Sequence, residues 1–381
     1  VLEGYEPDLE VLKEQLNLDA CFRDILADST PGVPCMSLSN TNKALLGGYK
    51  GFLVDAVLDR VITRVKNLGR EVDAVESVRK GLVDPVRLFV KDEPHASKKI
   101  LSGKLRLISG VSIVDQVVER LLCSSQNNAE IRDWRTCPSK PGLSLADDGL
   151  QDMARWFREQ LKEGPLQQTD ISGWDWSVQE WELVADAECR SRLAGAGRGS
   201  LFHSLQEQNA RLVSKSVFVI PGGEMVAQLD AGVQLSGRYC TSSTNSRMRI
   251  LASLVARKMA GHALSGPIGI AAMGDDCVER HYRGLEECLG RLGHTVKMAL
   301  VCRELAGVSF CSHEWMDDGL AAPETVGKTV FRFLSHPLDS EDYPAWLVQL
   351  GWVMRNSPRY AEIMPACHNR VYPPLDRVLK E

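Results

Sequence analysis

Ile268-Gly-Ile-Ala-Ala-Met-Gly-Asp-Asp-Cys-Val-Glu-Arg280 is the stretch on which the reading of this chain turns. Its apolar run ends at Met273, Gly274 permits a tight turn, and Cys277 and Val278 resume the strand pattern. The spacing therefore predicts a hairpin tipped by two neighbouring carboxylates, Asp275 and Asp276. Alone, Gly-Asp-Asp is an ordinary hairpin turn, because both residue types are favoured there. Weight comes from a second strand end: Leu166 to Asp170 reads as a short strand closing on a carboxylate, with Asp175 five residues further on, where strand gives way to helix. Carboxylates at two adjacent strand ends can hold hard divalent cations, since Mg²⁺ takes oxygen ligands and usually only one or two protein carboxylates beside substrate phosphates. Two such ions serve the attacking and the leaving oxygen of a phosphoryl transfer.

Around these acids the chain alternates helical and strand patterns, which predicts an α+β fold. Apolar residues recur at helical spacing at Leu45, Phe52, Leu53, Ala56, Val57, Val61 and Val65, with Gly69 at the stop, and again from Ile113 to Leu122. Val86 to Val90 and Leu105 to Ile108 read as strands joined by a polar loop containing Pro94 and Gly103. Further helices are expected near Asp152 to Leu161, over Val178 to Leu193, over Gly237 to Ala260 and over Ala345 to Met354. Gly195 to Gly199 is a break, and strands are expected around Val217 to Leu229.

The 381 residues are 44% hydrophobic and 25% charged, close to globular averages, which excludes a disordered tail or a rod. No apolar run approaches the roughly 20 residues of a membrane span. Eleven cysteines, odd in number and without a CxxC pair, read as reduced thiols, the usage of a cytosolic chain. The start at Val1 without Met reads either as an artificial boundary or as a piece cut from a longer precursor.

A net charge of −5 speaks against a nucleic-acid binder, so any such function must rest on local charge. Between Arg87 and Arg106 that sign reverses: six basic residues (Arg87, Lys91, Lys98, Lys99, Lys104 and Arg106) face two acids, Asp92 and Glu93. Ser236-Gly237 opens a helix on which Thr241 and Asn245 lie four apart on one face. Ser236 reads either as part of a flexible turn or as a helix N-cap, and Asn245 alone as a surface amide. Cys302, Cys311 and His313 fit no closed four-ligand zinc pattern. Trp174, Trp176 and Trp181 could stack on bases, but beside a strand-to-helix junction the reading is core packing.

In order, Asp170-x4-Asp175, Ser236-Gly237-x3-Thr241-x3-Asn245 and Gly274-Asp275-Asp276 resemble motifs A, B and C of viral RNA-dependent RNA polymerases. Phe89-Val-Lys-Asp-Glu-Pro-His95 with Lys104 to Ile108 and Val111 to Arg120 is similar to motif F and the helix after it. Phe310-Cys-Ser-His-Glu-Trp315 resembles motif E. The wording is most similar to the sobemovirus and polerovirus group of positive-strand RNA viruses, over roughly residues 85 to 335.

The resemblance implies a right hand. Fingers are expected over 1–165 with an insertion at 195–235, palm over 166–194 and 236–315, and a small thumb over 316–381. It implies template-directed RNA synthesis with Mg²⁺, replaceable by Mn²⁺, held by Asp170, Asp275 and Asp276. Lys297, at the place of motif D, is implied as general acid; a surface lysine is the plain alternative. Lys91, Lys104 and Arg106 would hold the triphosphate, Ser236 and Gly237 the template or base, and Asp175, Thr241 and Asn245 the ribose. Lys98 and Lys99 are expected to be solvated and His95 structural. Implied partners are template and nascent RNA, ribonucleoside triphosphates and a genome-linked protein primer, in host cytoplasm at membrane-associated replication complexes. A reverse transcriptase and a catalytically inactive RNA-binding palm are the rival readings.

Overall fold

The computed structural model describes residues 16–93, 95, 97–264, 269–335 and 341–371. The readings of Val1, Pro94, Ile268 and the chain beyond 371 lie outside these. Strands β1 (Val86–Val90), β2 (Leu107–Gly110), β3 (Leu166–Ile171), β4 (Val217–Val219), β5 (Met225–Ala227), β6 (Ile270–Met273), β7 (Asp276–Arg280), β8 (Val296–Cys302), β9 (Ser309–Phe310), β10 (His313–Trp315) and β11 (Ala321–Pro323) build three sheets. Their orders are β2-β1-β4-β5, β6-β7-β3-β8 and β11-β10-β9. Helices pack against them, so the fold is mixed α/β.

The sheet β6-β7-β3-β8 is antiparallel throughout. Alternation along its strands divides two faces. Ala271 and Val278 join Phe157, from the helix Asp147–Glu163, and Trp315 in one core. Ile270, Ala272 and Cys277 pack on Ile250 of the helix Thr241–Met259. A period of 2 places neighbouring residues on opposite faces, which is why one short strand can serve two layers. The edge strand β8 is largely exposed.

In the sheet β2-β1-β4-β5, β4 runs parallel to β1 although residues 195–235 are far from it in sequence. The base of β1 is tied down by a buried ionic network. Arg60 of the helix Asn42–Lys66 bonds Asp84 and Asp115 at 2.7 and 2.5 Å, and Arg64 bonds Asp115 at 3.0 Å. The third core lies between that helix and the helix Ile113–Arg132.

Several expectations need correction. Phe52 is exposed while Leu53 and Val57 are buried, because Tyr49 is non-helical inside Asn42–Lys66 and resets the helical phase. The helix expected from Gly237 begins at Thr241; residues 237–240 form the turn before it. Strand β2 starts at Leu107, and the polar loop carries a short helix, Ser97–Leu101. Within 195–235 a helix at Leu201–Ser214 went unread. Trp174 is in the core as expected, but Trp176 and Trp181 are half exposed. No disulfide links cysteines among the described residues.

Candidate active site

At the tip of the β6–β7 hairpin, Met273 pairs with Asp276 and leaves Gly274 and Asp275 as the two loop residues. Gly274 has φ of 66° while Asp275 stays out of the positive region, the signature of a type II′ turn. The Gly274 N–H donates to Ser246 Oγ at 2.9 Å, so the helix Thr241–Met259 fixes the tip from behind. Strand β3 lies antiparallel beside β7 with Thr169 opposite Cys277, and this register delivers Asp170, the next residue, alongside Asp276. The β9–β10 turn closes the floor, with Cys311 Sγ 3.5 Å from Met273 Sδ. Burial, then Asp276 and Asp275, push the Cys311 thiol well up.

The acids feel one another. Asp276 keeps solvent contact but sits in a recess crowded by protein atoms. That lost hydration, with the charges of Asp275, Asp170 and Glu324, pushes its carboxyl up to about 6. Burial is also the main cause raising Asp175 to about 6; Asp275 raises it further, while the Asn245 hydrogen bond and Arg106 oppose. One cation answers this charge directly: Lys297 Nζ lies 2.6 Å from Asp170 Oδ2. Among the described residues no three acid, His or Cys side chains close into a ready-made metal cage.

A carboxyl raised in the folded state binds a proton that the unfolded chain has already released, so its ionised form costs stability above the unfolded value. The expected result is that Asp276→Asn melts at a higher temperature than the parent at about pH 7.5. That advantage should shrink below about pH 6 and vanish near pH 4. Thermal melts across that range check it, and equal melting at neutral pH would remove the proposed repulsion.

The basic segment forms two arms. Lys91 N–H donates to the Arg106 carbonyl at 2.8 Å just beyond β1 and β2, and Arg106 N–H donates to His95 Nε2 at 3.2 Å. Glu93 gathers Lys91 at 3.0 Å, Arg106 at 3.7 Å and Arg332, from the helix Val326–Ser335, at 3.2 Å. Burial raises the Glu93 carboxyl, but Lys91, Arg106 and Arg332 together outweigh it and hold the group below its ordinary value. Lys104, Lys98 and Lys99 are exposed, and none has an ion pair among the described residues.

Ser236 is not an N-cap. Its Oγ accepts from Ser109 N–H of β2 at 3.2 Å, while the cap position before Thr241 belongs to Cys240. Gly237 is dictated by proximity, because a Cβ there would lie 1.9 Å from the Ser109 carbonyl oxygen. Thr241 Oγ1 donates to the Arg238 carbonyl at 2.8 Å, so its hydroxyl closes the turn and does not bond Asp175 or Asn245. The other two ribose candidates do meet: Asn245 Nδ2 donates to Asp175 Oδ1 at 3.2 Å.

Sequence reasoning missed Glu324, Ser246, Glu93 and Arg332 as participants. Glu324 reaches the acids because β11 pairs with β10, a contact with no local signal. Glu93 lay within the quoted basic stretch and could have been picked out as its charge-balancing acid.

Comparison with known proteins adds the lineage. Residues 14–324 match the viral RNA-directed RNA-polymerase family. The RNA-directed RNA polymerase of mushroom bacilliform virus is 44% identical over 342 residues, covering 88% of this chain and 80% of that protein. Replicase polyprotein P2AB of Southern bean mosaic virus is 38% identical over 376 residues, 94% of this chain and 37% of the polyprotein. Protein P1-P2 of potato leafroll virus is 34% identical over 351 residues, 87% of this chain and 30% of that protein. The chain thus spans about a third of the length of the two longer relatives.

Proposed function

This chain belongs to the viral RNA-directed RNA polymerases, in the group that includes the sobemoviruses and poleroviruses, and from that membership we propose that the Asp170, Asp275 and Asp276 cluster is where it joins ribonucleotides. The chain is an enzyme of template-directed RNA synthesis, serving replication of a positive-strand RNA genome. The observation that carries the site is the crowding of like charge: burial, Asp275, Asp170 and Glu324 all raise Asp276, and the Lys297 ammonium lies 2.6 Å from Asp170.

The donor set fits Mg²⁺. It consists of carboxylate oxygens at a turn and a strand end, repelling one another and already attracting a cation. Mn²⁺ accepts the same oxygen donors. Asp170 and Asp275 would hold the ions with Asp276 in support, substrate phosphates completing the shell, which accounts for a site not closed by protein groups alone. When bound, the ions ease deprotonation of the 3′-hydroxyl and offset charge on the departing pyrophosphate. Lys91 and Arg106 orient the triphosphate, Arg106 by its planar fork. Lys297 reaches the same recess as Asp170 and supplies a proton to the pyrophosphate. Asp175 and Asn245 test the ribose: a 2′-hydroxyl donates and accepts, and a deoxyribose leaves the pair unsatisfied. The Ser236-Gly237 turn, seated on β2, faces template and base.

Fingers comprise 1–165 and 195–235, supported by β4 joining β1 in one sheet. The palm comprises 166–194 and 236–315, and the thumb 316–381. Template and nascent RNA, ribonucleoside triphosphates and a genome-linked protein primer are the partners. The host cytoplasm, at membrane-associated replication complexes, is the place; no helix among the described residues is long and apolar enough to cross a membrane.

Primer extension on a homopolymer template should require Mg²⁺. Independently of activity, Mg²⁺ should raise the melting temperature, because a ligand that binds only the folded form stabilises it. The shift should be lost in the variant Asp170→Asn. A metal-independent melting temperature together with metal-independent extension would sink the assignment.

A further inference from the structure

Beneath the proposed ribose check runs a chain of buried contacts. Trp174 is buried, and its indole Nε1–H donates to Asn245 Oδ1 at 3.0 Å. Its ring stacks on His294, with centroids 4.7 Å apart and planes 22° from parallel. His294 is fully buried and held at both nitrogens: Nδ1 lies 3.0 Å from Ser177 Oγ, and Nε2 lies 2.9 Å from Glu182 Oε1. Ser, His and Glu in this order resemble a hydrolytic triad, but a wholly buried imidazole beneath an indole cannot meet a substrate. The three instead make a rigid seat.

We infer that Trp174, seated on His294, is a positioning residue for sugar selection: it fixes the Asn245 amide so that its nitrogen faces Asp175 and the 2′-hydroxyl. The inference rests on the proposed ribose-checking role of Asp175 and Asn245. An amide has two faces that differ only in donor or acceptor character, and rotation by half a turn exchanges them. An indole N–H is a donor only, so the amide oxygen must face Trp174. The nitrogen is thereby turned to Asp175, to which it donates at 3.2 Å, and its second N–H is assigned to the ribose. The seat comes from three places in the chain: Trp174, Ser177 and Glu182 follow Asp170, Asn245 lies on the helix Thr241–Met259, and His294 precedes β8. Sugar recognition is thus tied to the strand that carries Lys297.

The test is Trp174→Phe, which keeps an aromatic ring on His294 and removes the donor. Ribonucleotide and deoxyribonucleotide incorporation on one RNA template are measured as kcat/KM. Their ratio does not depend on how much of a preparation is folded. The ratio should fall about three- to tenfold, the scale of one hydrogen bond, through loss of ribonucleotide kcat/KM with the deoxy substrate spared. Adding Trp174→Phe to Asn245→Ala should leave the ratio of that single variant unchanged, because both act through one amide. An equal fall for both sugars in Trp174→Phe would mark a merely structural role and overturn the inference. So would an unchanged ratio alongside a lowered one in Asn245→Ala. An unchanged ratio in Asn245→Ala overturns the ribose reading itself, and the inference with it.

Discussion

Asp275→Ala should abolish nucleotide incorporation while leaving the fold intact. The left-handed backbone that the turn needs belongs to Gly274, so alanine at 275 keeps the hairpin. Asp275 is exposed, and its charge raises both Asp175 and Asp276, so removing it relieves repulsion. Stability should hold or rise. Catalysis has no such reserve. A bound ion contributes several kcal/mol of charge stabilisation in phosphoryl transfer, and about 4 kcal/mol corresponds to a thousandfold in rate. Single-nucleotide extension should therefore drop about a thousandfold or more, with unchanged circular dichroism and a melting temperature no lower than the parent's. Full activity in this variant would mean that the carboxylate does not ligate.

The acids were legible because their chemistry compresses into short words. A strand, a glycine with positive φ and two carboxylates occupy the seven consecutive positions 270–276, and Asp170 and Asp175 are separated by one strand-to-helix turn. The supports of those acids were not legible, because each is a meeting of residues distant in sequence. Ser246 bonds the turn from 28 residues away, and His294 meets Glu182 from 112. A serine or a buried histidine carries no pattern announcing its partner.

Periodicity failed for related reasons. The helix Leu201–Ser214 buries Gln206, Asn209 and Ser214 together with Ala210, Leu212 and Val213, so half its inner face is polar and only Ala210 carries the apolar pattern between Leu205 and Leu212. Those polar residues are used elsewhere: Asn209 accepts from Arg64 at 2.9 Å and Gln206 donates to the Leu122 carbonyl at 3.2 Å. At Phe52 the repeat was present but its phase was broken by Tyr49. Sequence showed where reactive groups concentrate; it did not show which polar side chains fold inward to hold them.

Arg249 is another such hidden support, and Arg249→Met should destabilise the protein by about 3–5 kcal/mol near pH 8, the usual cost of leaving a buried charge without its partner. Both Arg249 and Glu279 are fully buried between the helix Thr241–Met259 and the acid-bearing sheet. The guanidinium bonds Ser253 Oγ at 2.5 Å and Thr169 Oγ1, and lies 3.7 Å from Glu279 Oε1, to which Ser253 Oγ also donates at 2.8 Å. Thr169 precedes Asp170 and Glu279 lies on β7, so this cluster clamps the two acid-bearing strands to one helix.

Burial already raises the Glu279 carboxyl, and Arg249 opposes that rise. Without the guanidinium the carboxyl must rise further and take up a proton on folding. A folded state that binds the extra proton loses stability as pH increases. The deficit of Arg249→Met should accordingly be smaller near pH 5 than near pH 8. It should be largely repaired in the double variant Arg249→Met with Glu279→Gln, which buries no charge. Urea-unfolding midpoints of the three proteins at both pH values decide this. A pH-independent deficit that the second substitution fails to repair would mean that Arg249 acts through packing, and that the strands carrying Asp170 and Asp276 are not held by this ion pair.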